Sequence, residues 1–483
     1  MRRAKLRCLI VAAITATSLL RAQQVDITHT TADLAQALAA ETPARFAAHP
    51  PAASLVIVVD DSQRFQTIDG FGASLTDGAA WLLHDHLSAG QRQRVMETLF
   101  SPQRGVGLSF LRQPIGSTDL SRGPYTFDDL PAGEQDPDLL RFSAHHDDAD
   151  VFPLLRDALR LNPQLTLMAT PWSPPAWMKT RSTTFGGQLS DDDLPVYADY
   201  LIRSVQAFAS AGVPIQYLSV QNEPLYETKD YPGTLMTAEQ QIRLIGRFLG
   251  PDLQRAGLGT RILAYDHNWD HPEYPIAVAS SPLAAPFVAG SAMHCYAGDV
   301  SAQNEIHRQV PDKGIWLTEC SGGTWQTDAP LLATARLLIE ATRDWARSVV
   351  LWGLATDSDH GPHAGGCGTC RGLITVDLHS TPTTVSYNGD FYALAQASRF
   401  VHPGAARIAS TTFGRDSLES VAFQNPSGAI ALLVLNSGKA TAEFQVRWNA
   451  RSFQATLQPG ELATYRWPAR SLAAVPARAA ALR

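Results

Sequence analysis

The chain has 483 residues, of which 45% are apolar, 18% charged and 8% aromatic, a composition that can bury a large core and excludes global disorder. A formal net charge of −7 supplies no basic footprint and argues against nucleic acid as a partner. Glycine (34) and proline (31) stand near average usage, which excludes collagenous and low-complexity chains.

Residues 1–22 read as an export signal. Arg2, Arg3, Lys5 and Arg7 form a basic opening, the apolar run Leu9 to Leu20 is short for a membrane span, and Ala22 marks a cleavage point. The leader holds five basic residues (these four and Arg21) and no acid, so its removal takes the net charge from −7 to −12. A secreted or periplasmic location follows, with no stable membrane insertion. Of five cysteines, Cys8 leaves with the leader; Cys295, Cys320, Cys367 and Cys370 are too few for a disulfide scaffold.

Residues 23–65 are an N-terminal segment whose strand-like stretch, Ser54 to Phe65, joins a β domain. Between 66 and 397 one theme repeats. Apolar runs end in a polar or aromatic residue, then a loop and a helical pattern follow. The runs are Thr67–Gly72, Leu108–Arg112, Leu165–Trp172, Ile215–Glu223, Ile262–His267, Ser291–Tyr296, Ile315–Glu319 and Ser348–Trp352. Helical periodicity marks Tyr197–Ala211, Ala238–Leu249 and Leu331–Ala346. Eight strands alternating with helices predict an α/β fold of the (β/α)8 TIM-barrel type. Residues 398–468 change character: short β-rich segments, Leu418–Gln424, Ala429–Leu435, Ala442–Trp448 and Glu461–Trp467, separated by glycine and proline turns. They predict a β-sandwich-like side domain built from both chain ends, followed by a flexible tail over 469–483.

A barrel gathers its active site at the C-terminal strand ends. Here those ends carry Arg112, Trp172, Asn222, Glu223, His294, Tyr296, Glu319 and Trp352. Glu223 and Glu319 fall 96 residues apart, at the fourth and seventh strands, and would face one mouth. Paired carboxylates flanking one bond are what glycoside hydrolysis requires. An amide such as Asn222 beside the acid suits a sugar hydroxyl, and Pro224 stops the strand.

Five segments carry a family resemblance: Ile68-Asp-Gly-Phe-Gly-Ala-Ser-Leu-Thr-Asp77, Leu111-Arg-Gln-Pro-Ile-Gly-Ser-Thr-Asp119, Ala169-Thr-Pro-Trp-Ser-Pro-Pro-Ala-Trp-Met-Lys-Thr180, Val220-Gln-Asn-Glu-Pro224 and Thr318-Glu-Cys320. Over roughly residues 55–467 the chain resembles glycoside hydrolase family 30, the glucosylceramidase family. The resemblance implies a retaining β-glycosidase with Glu223 as acid/base and Glu319 as nucleophile. It also implies that Arg112, Asp119, Trp172, Asn222, Tyr296 and Trp352 line the sugar site, to which His294 is added by its place at a strand end. The expected substrate is a carbohydrate or glycolipid, and the mechanism calls for no metal or cofactor. The sequence departs from the family pattern at Cys295, at Cys320 and in the loop Asp357–Leu373. The aglycone therefore stays open among glucosylceramide, β-1,6-glucan and a β-xyloside. A non-catalytic carbohydrate-binding protein is the alternative from another class.

Three clusters remain. His360, His363, Cys367 and Cys370 allow a local Cys367–Cys370 bridge, free thiols or a zinc site. His145 to Asp150 reads as a solvated surface loop in preference to a cation site. Asp191-Asp-Asp193 is expected to cap the helix that follows.

Overall fold

The computed structural model describes residues 24–48 and 53–468; the expected leader and flexible tail lie outside the described residues. The chain divides into two compact units, Gln66–Pro403 and the segments on either side of it.

The first unit is a closed barrel of eight parallel strands that pair in chain order: β1 (Gly70–Ser74), β2 (Phe110–Ile115), β3 (Thr166–Pro171), β4 (Tyr217–Ser219), β5 (Arg261–Asn268), β6 (Val288–His294), β7 (Gly314–Glu319) and β8 (Ala346–Leu351). Strands buried on both faces need near-continuous apolar runs, which is why these eight were readable. One layer of the interior is filled by Phe110, Met168, Tyr217, Leu263, Ala292, Trp316 and Val350, one side chain from each of β2 to β8. Asp69, just before β1, accepts hydrogen bonds from Tyr217 Oη and Trp316 Nε1, each at 2.8 Å, so these rings bury their apolar bodies with their polar tips satisfied.

Two of the three predicted helices form close to their expected bounds, at Leu194–Ser210 and Pro330–Arg343. The third does not run unbroken. It is α-helical over Ala238–Arg243, widens to a π turn over Leu244–Leu249, where the Gly250 N–H reaches back to the Ile245 carbonyl, and resumes at Gly250–Arg255. Pro251 has no N–H to offer the preceding turn, and a wider turn accommodates that loss.

Two local expectations are corrected. Asp193 stands at the N-cap of Leu194–Ser210 but makes no side-chain cap bond, and Pro195 removes one of the two N–H groups a cap could bind. Asp191 instead accepts from Gln240 Nε2 at 2.8 Å and Arg243 Nη2 at 2.6 Å. The segment from His145 is solvated only in part: His145, His146, Asp148 and Ala149 are exposed. Asp147 and Asp150 are buried, Tyr125 donates to Asp147 at 2.9 Å, and Arg122 pairs with both Asp77 and Asp150. The guanidinium brings the positive charge those carboxylates need once they leave water.

The second unit is a β-sandwich in which Gln24–Thr30 and Val56–Thr67 join the strands that follow residue 404. Gln24–Thr30 pairs antiparallel with Leu462–Pro468, while Val56–Thr67 pairs parallel with Ala442–Trp448. Phe46, Trp448, Phe453, Tyr465 and Trp467 fill its core in edge-to-face and tilted contacts. Among the described residues, no helix is long and apolar enough to cross a membrane.

Candidate active site

The residues singled out from sequence converge at the C-terminal end of the barrel. Arg112 lies within β2, Trp172 follows β3, Asn222 and Glu223 follow β4, His294 and Glu319 end β6 and β7, and Trp352 follows β8. Asp119 comes in from the loop after β2 and Tyr296 from just beyond β6. All but Glu223 and Tyr296 are less than a tenth exposed. A pocket of about 510 Å3 is lined by Asp119, Trp172, Glu223, Glu319 and Trp352 among others.

Arg112 is the organiser. It is fully buried, and its fork donates through Nη1 to Glu319 Oε2 at 2.5 Å and through Nη2 to Asn222 Oδ1 at 2.7 Å and Asp266 Oδ2 at 2.8 Å. Fixing the amide oxygen of Asn222 leaves its NH2 group as the donor this residue can offer the pocket. The indoles of Trp172 and Trp352 stack at 4.9 Å, and the guanidinium lies 4.8 Å from the Trp172 ring.

Sequence reasoning missed Asp266. It sits inside β5, fully buried, and accepts from Arg112, from Thr318 Oγ1 at 2.7 Å and from His294 Nε2 at 3.0 Å. Burial works against its charge, but Arg112 and His294 hold the carboxyl far below the usual range. Burial likewise opposes a charge on His294; the Glu319 carboxylate and hydrogen bonds with Asp266 and Glu223 outweigh it and push the imidazole up to about 9. With Nε2 on Asp266, its Nδ1 donates to Glu223 Oε1 at 3.2 Å.

The two glutamates therefore differ in their partners. Both oxygens of Glu319 are engaged, Oε2 by Arg112 and Oε1 by the Tyr296 hydroxyl at 2.9 Å. Burial leaves its carboxyl above the ordinary value despite the charges of His294 and Arg112. Burial pushes Glu223 up, but the hydrogen bond and charge of His294, together with the charges of His267 and Arg112, outweigh it and hold Glu223 below its ordinary value. A dissociable proton thus belongs to the Glu223–His294 pair jointly rather than to either group. Glu223 also has φ 45°, with Tyr265 (φ 77°) and Asp266 (φ 63°) beside it, and the Glu223 N–H donates to the Asp266 carbonyl at 3.0 Å. Strained backbone of this kind persists where the surroundings over-determine it, as here, where both carboxylates are fixed by other elements.

Asp119 is pushed up to about 7 by burial and by the Glu319 charge. The loop after β8 seats against it: Ala364 N–H donates to the Asp119 carbonyl at 2.8 Å and Cys367 N–H approaches its carboxylate at 3.4 Å. In that loop Cys367 and Cys370 are joined as a disulfide, which overturns the free-thiol and zinc readings of the cluster. A second disulfide, which the sequence had not suggested, joins Cys295 to Cys320. Tyr226, Tyr231 and Trp325 add aromatic surface to the pocket, and Tyr226 and Trp325 are each 51% exposed. Metal-ligating atoms of Glu223, His294 and Glu319 lie within 4.8 Å of one another, as do those of His29, Glu41 and Glu461 in the other unit. In the first group both imidazole nitrogens are already bonded and Arg112 already supplies a cation to Glu319.

The protein is a glycoside hydrolase acting on carbohydrate. It belongs to glycosyl hydrolase family 30: residues 68–400 match that family's TIM-barrel domain and residues 404–473 its beta sandwich domain. It is 35% identical to an endo-1,6-beta-D-glucanase of Neurospora crassa, over 82% of this chain and 84% of that protein. It is 27% identical to the lysosomal acid glucosylceramidase of Mus musculus, over 86% of this chain and 83% of that one. Among solved structures it is similar to an endo-beta1,6-glucanase, with TM-score 0.85 and 29% identity, covering 93% of this chain and all of the other.

Proposed function

We propose that this protein is an exported retaining β-glycosidase that hydrolyses β-1,6-linked glucan. The observation that carries the mechanism is the approach of the two glutamates: a carboxylate oxygen of Glu223 lies within 4.8 Å of one of Glu319. Retaining enzymes hold their carboxyls ~5–5.5 Å apart, whereas inverting ones leave ~6.5–9.5 Å for a water. Glu319, its anion oriented by Arg112 and Tyr296, attacks the anomeric carbon and forms a glycosyl ester. Glu223 passes the proton it shares with His294 to the departing oxygen, then takes a proton from the water that cleaves the ester. Asp119 and the Asn222 amide are placed to bind sugar hydroxyls, and Trp172 and Trp352 offer apolar ring surface.

The choice of β-1,6-glucan over glucosylceramide rests on relatedness and on the pocket rim. Relatives named as endo-1,6-beta-D-glucanases stand at 33–35% identity, above the 27% of the glucosylceramidase from Mus musculus. The exposed rings of Tyr226 and Trp325 suit stacking against further sugar units of a chain. Glucosylceramide is the second reading, favoured by a match that spans most of both chains. An export leader over 1–22 accords with an extracellular polymer as substrate.

Proton NMR of the sugar first released from a β-1,6-gluco-oligosaccharide tests substrate and stereochemistry together. The β-anomer should appear first; early α-anomer means inversion and removes Glu319 as nucleophile. Activity on glucosylceramide alone would move the substrate to the second reading. Glu319→Gln is expected to lose on the order of 10^4-fold in kcat on every substrate. Glu223→Gln should lose about 10^2–10^4-fold on natural linkages and far less on aryl glycosides with good leaving groups. Equal losses on both kinds of substrate would reverse the role given to Glu223.

A further inference from the structure

Two of the positions that depart from the family pattern meet in space. Cys295 directly follows His294 at the end of β6, Cys320 directly follows Glu319 at the end of β7, and their sulfurs are bonded with the Cα atoms 5.3 Å apart. The β6–β7 ladder shifts register between Met293 and His294 and closes with His294 opposite Glu319. The disulfide is thus the next rung, placed where backbone pairing has run out. Tyr296 stands one residue beyond it. The residue is 42% exposed, and its backbone is held by a hydrogen bond from its N–H to Asn268 Oδ1 at 3.0 Å. From that position its hydroxyl donates to Glu319 Oε1 at 2.9 Å.

We infer that the Cys295–Cys320 disulfide is a positioning element for catalysis, which ties the end of β6 to the end of β7 so that the Tyr296 hydroxyl stays on the Glu319 carboxylate. The inference rests on the reading of Glu319 as the nucleophile. The other groups facing Glu319 come from separate elements: Arg112 from β2, Glu223 from beyond β4, Asp266 from β5, His294 from β6 and Asp119 from the loop after β2. None of these is held by the bridge as Tyr296 is, except His294, which β6 and two hydrogen bonds already fix. The Cys367–Cys370 bridge spans three positions of one loop and ties no strand to another, so it serves as the internal control.

The test is a Cys295→Ala/Cys320→Ala variant, compared with Tyr296→Phe and with the two combined, on an aryl β-glucoside across pH. The bridge variant should lose about 10-fold in kcat with KM little changed, the scale of a hydrogen bond to a charged acceptor. Its acid limb should move to higher pH, because an anion that loses a donor holds its proton more tightly. Tyr296→Phe should do the same, and the combined variant should be no worse than the worse of its parents, since both remove one interaction. Unchanged kcat and acid limb in the bridge variant, or losses that multiply in the combined one, overturn the inference. Should the bridge variant not fold, stepwise reduction of the folded wild-type protein, with alkylated cysteines read by mass spectrometry, takes its place. Activity should then fall in step with labelling of Cys295 and Cys320; a fall that follows Cys367 and Cys370 instead is equally fatal. An active Glu319→Gln enzyme removes the nucleophile reading itself, and an inactive one leaves that reading standing whatever the bridge does.

Discussion

One guanidinium and one imidazole set the chemistry of the two glutamates. His294 bonds Glu223 and Asp266 through its two nitrogens, so the proton that leaves with the aglycone is shared within a buried pair. On the proposed mechanism, activity requires Glu319 ionised and that pair protonated. Rising acidity first removes the Glu319 anion, whose carboxyl burial places above the ordinary value. Rising pH removes the shared proton as it passes the imidazole value of about 9. The pH profile of kcat/KM on a non-ionising substrate should therefore be bell-shaped, broad through neutrality and falling toward pH 9. His294→Gln should draw the basic limb down toward the carboxylate range, since Glu223 alone then holds the proton; a basic limb that stays in place counts against the shared-proton assignment. At this scale the sequence was legible wherever a polar residue ended an apolar run, which marked Arg112, Glu223, His294 and Glu319. Asp266 escaped because it sits inside such a run, Ile262 to His267, and is charged there because Arg112, 154 positions away, and His294 face it. Periodicity says where a residue lies on its strand, not which charge another strand brings opposite.

The strands and helices were read with more success in the barrel than in the sandwich. Parallel strands covered on both faces leave apolar runs that few other arrangements require, and all eight were located. Gln24–Thr30, Ala406–Ser410 and Arg451–Leu457 went unread because each is short and carries only one or two large apolar side chains to mark it. Loops were the least legible, and the segment after β8 shows why: its seat on Asp119 depends on backbone donors at Ala364 and Cys367, which any sequence could supply. The segment does make strict demands at two glycines: at Gly365, with φ +79°, an added Cβ would fall 2.1 Å from the Asp230 carbonyl oxygen, and at Gly366, with φ +62°, 2.4 Å from the Asp119 Cβ. Gly366→Ala should push the loop or the carboxylate out of place. With the barrel strands untouched, kcat/KM is expected to fall about 10–10^2-fold, chiefly through KM, while the melting temperature changes little. Wild-type kinetics in a Gly366→Ala enzyme would show that this loop does not hold Asp119 for the substrate.

Across the whole molecule, buried ionisable groups set how stability responds to pH. Burial pushes Asp119 and Asp147 up to about 7 and Asp128 up to about 6. An acid raised in this way keeps its proton in the folded chain after the unfolded chain has released it near pH ~3.9. Its contribution is complete below the unfolded value and is lost as pH rises through the folded one. His294, held up to about 9, acts in the same direction between pH ~6.5 and 9. His267, which burial pulls down to about 4, opposes them over the lower part of the range, because there the unfolded chain binds the proton more tightly. Asp77 and Asp266 are held low despite burial, by His146 and Arg122 in one case and by Arg112 and His294 in the other. Their contribution is lost only as pH falls below ~3.9, outside the range in question. The formal charge is already −7 at pH 7, so each further deprotonation adds repulsion of the same sign. Lys179, which burial pulls down to about 7, opposes His294 above pH 7, because there the unfolded chain binds the proton more tightly. Between pH 5 and 7 the raised carboxyls outweigh the one lowered imidazole, and stability should decline over that range. Melting temperatures taken at constant ionic strength are expected to be on the order of 5 °C higher at pH 5 than at pH 7. Asp147→Asn, which removes a titrating group and leaves the Tyr125 hydroxyl an acceptor, should flatten that slope between pH 5 and 7. A melting temperature that climbs from pH 5 to pH 7 would instead mean that the lowered groups govern, and that Asp119, Asp128 and Asp147 ionise in the folded chain as readily as they do in water.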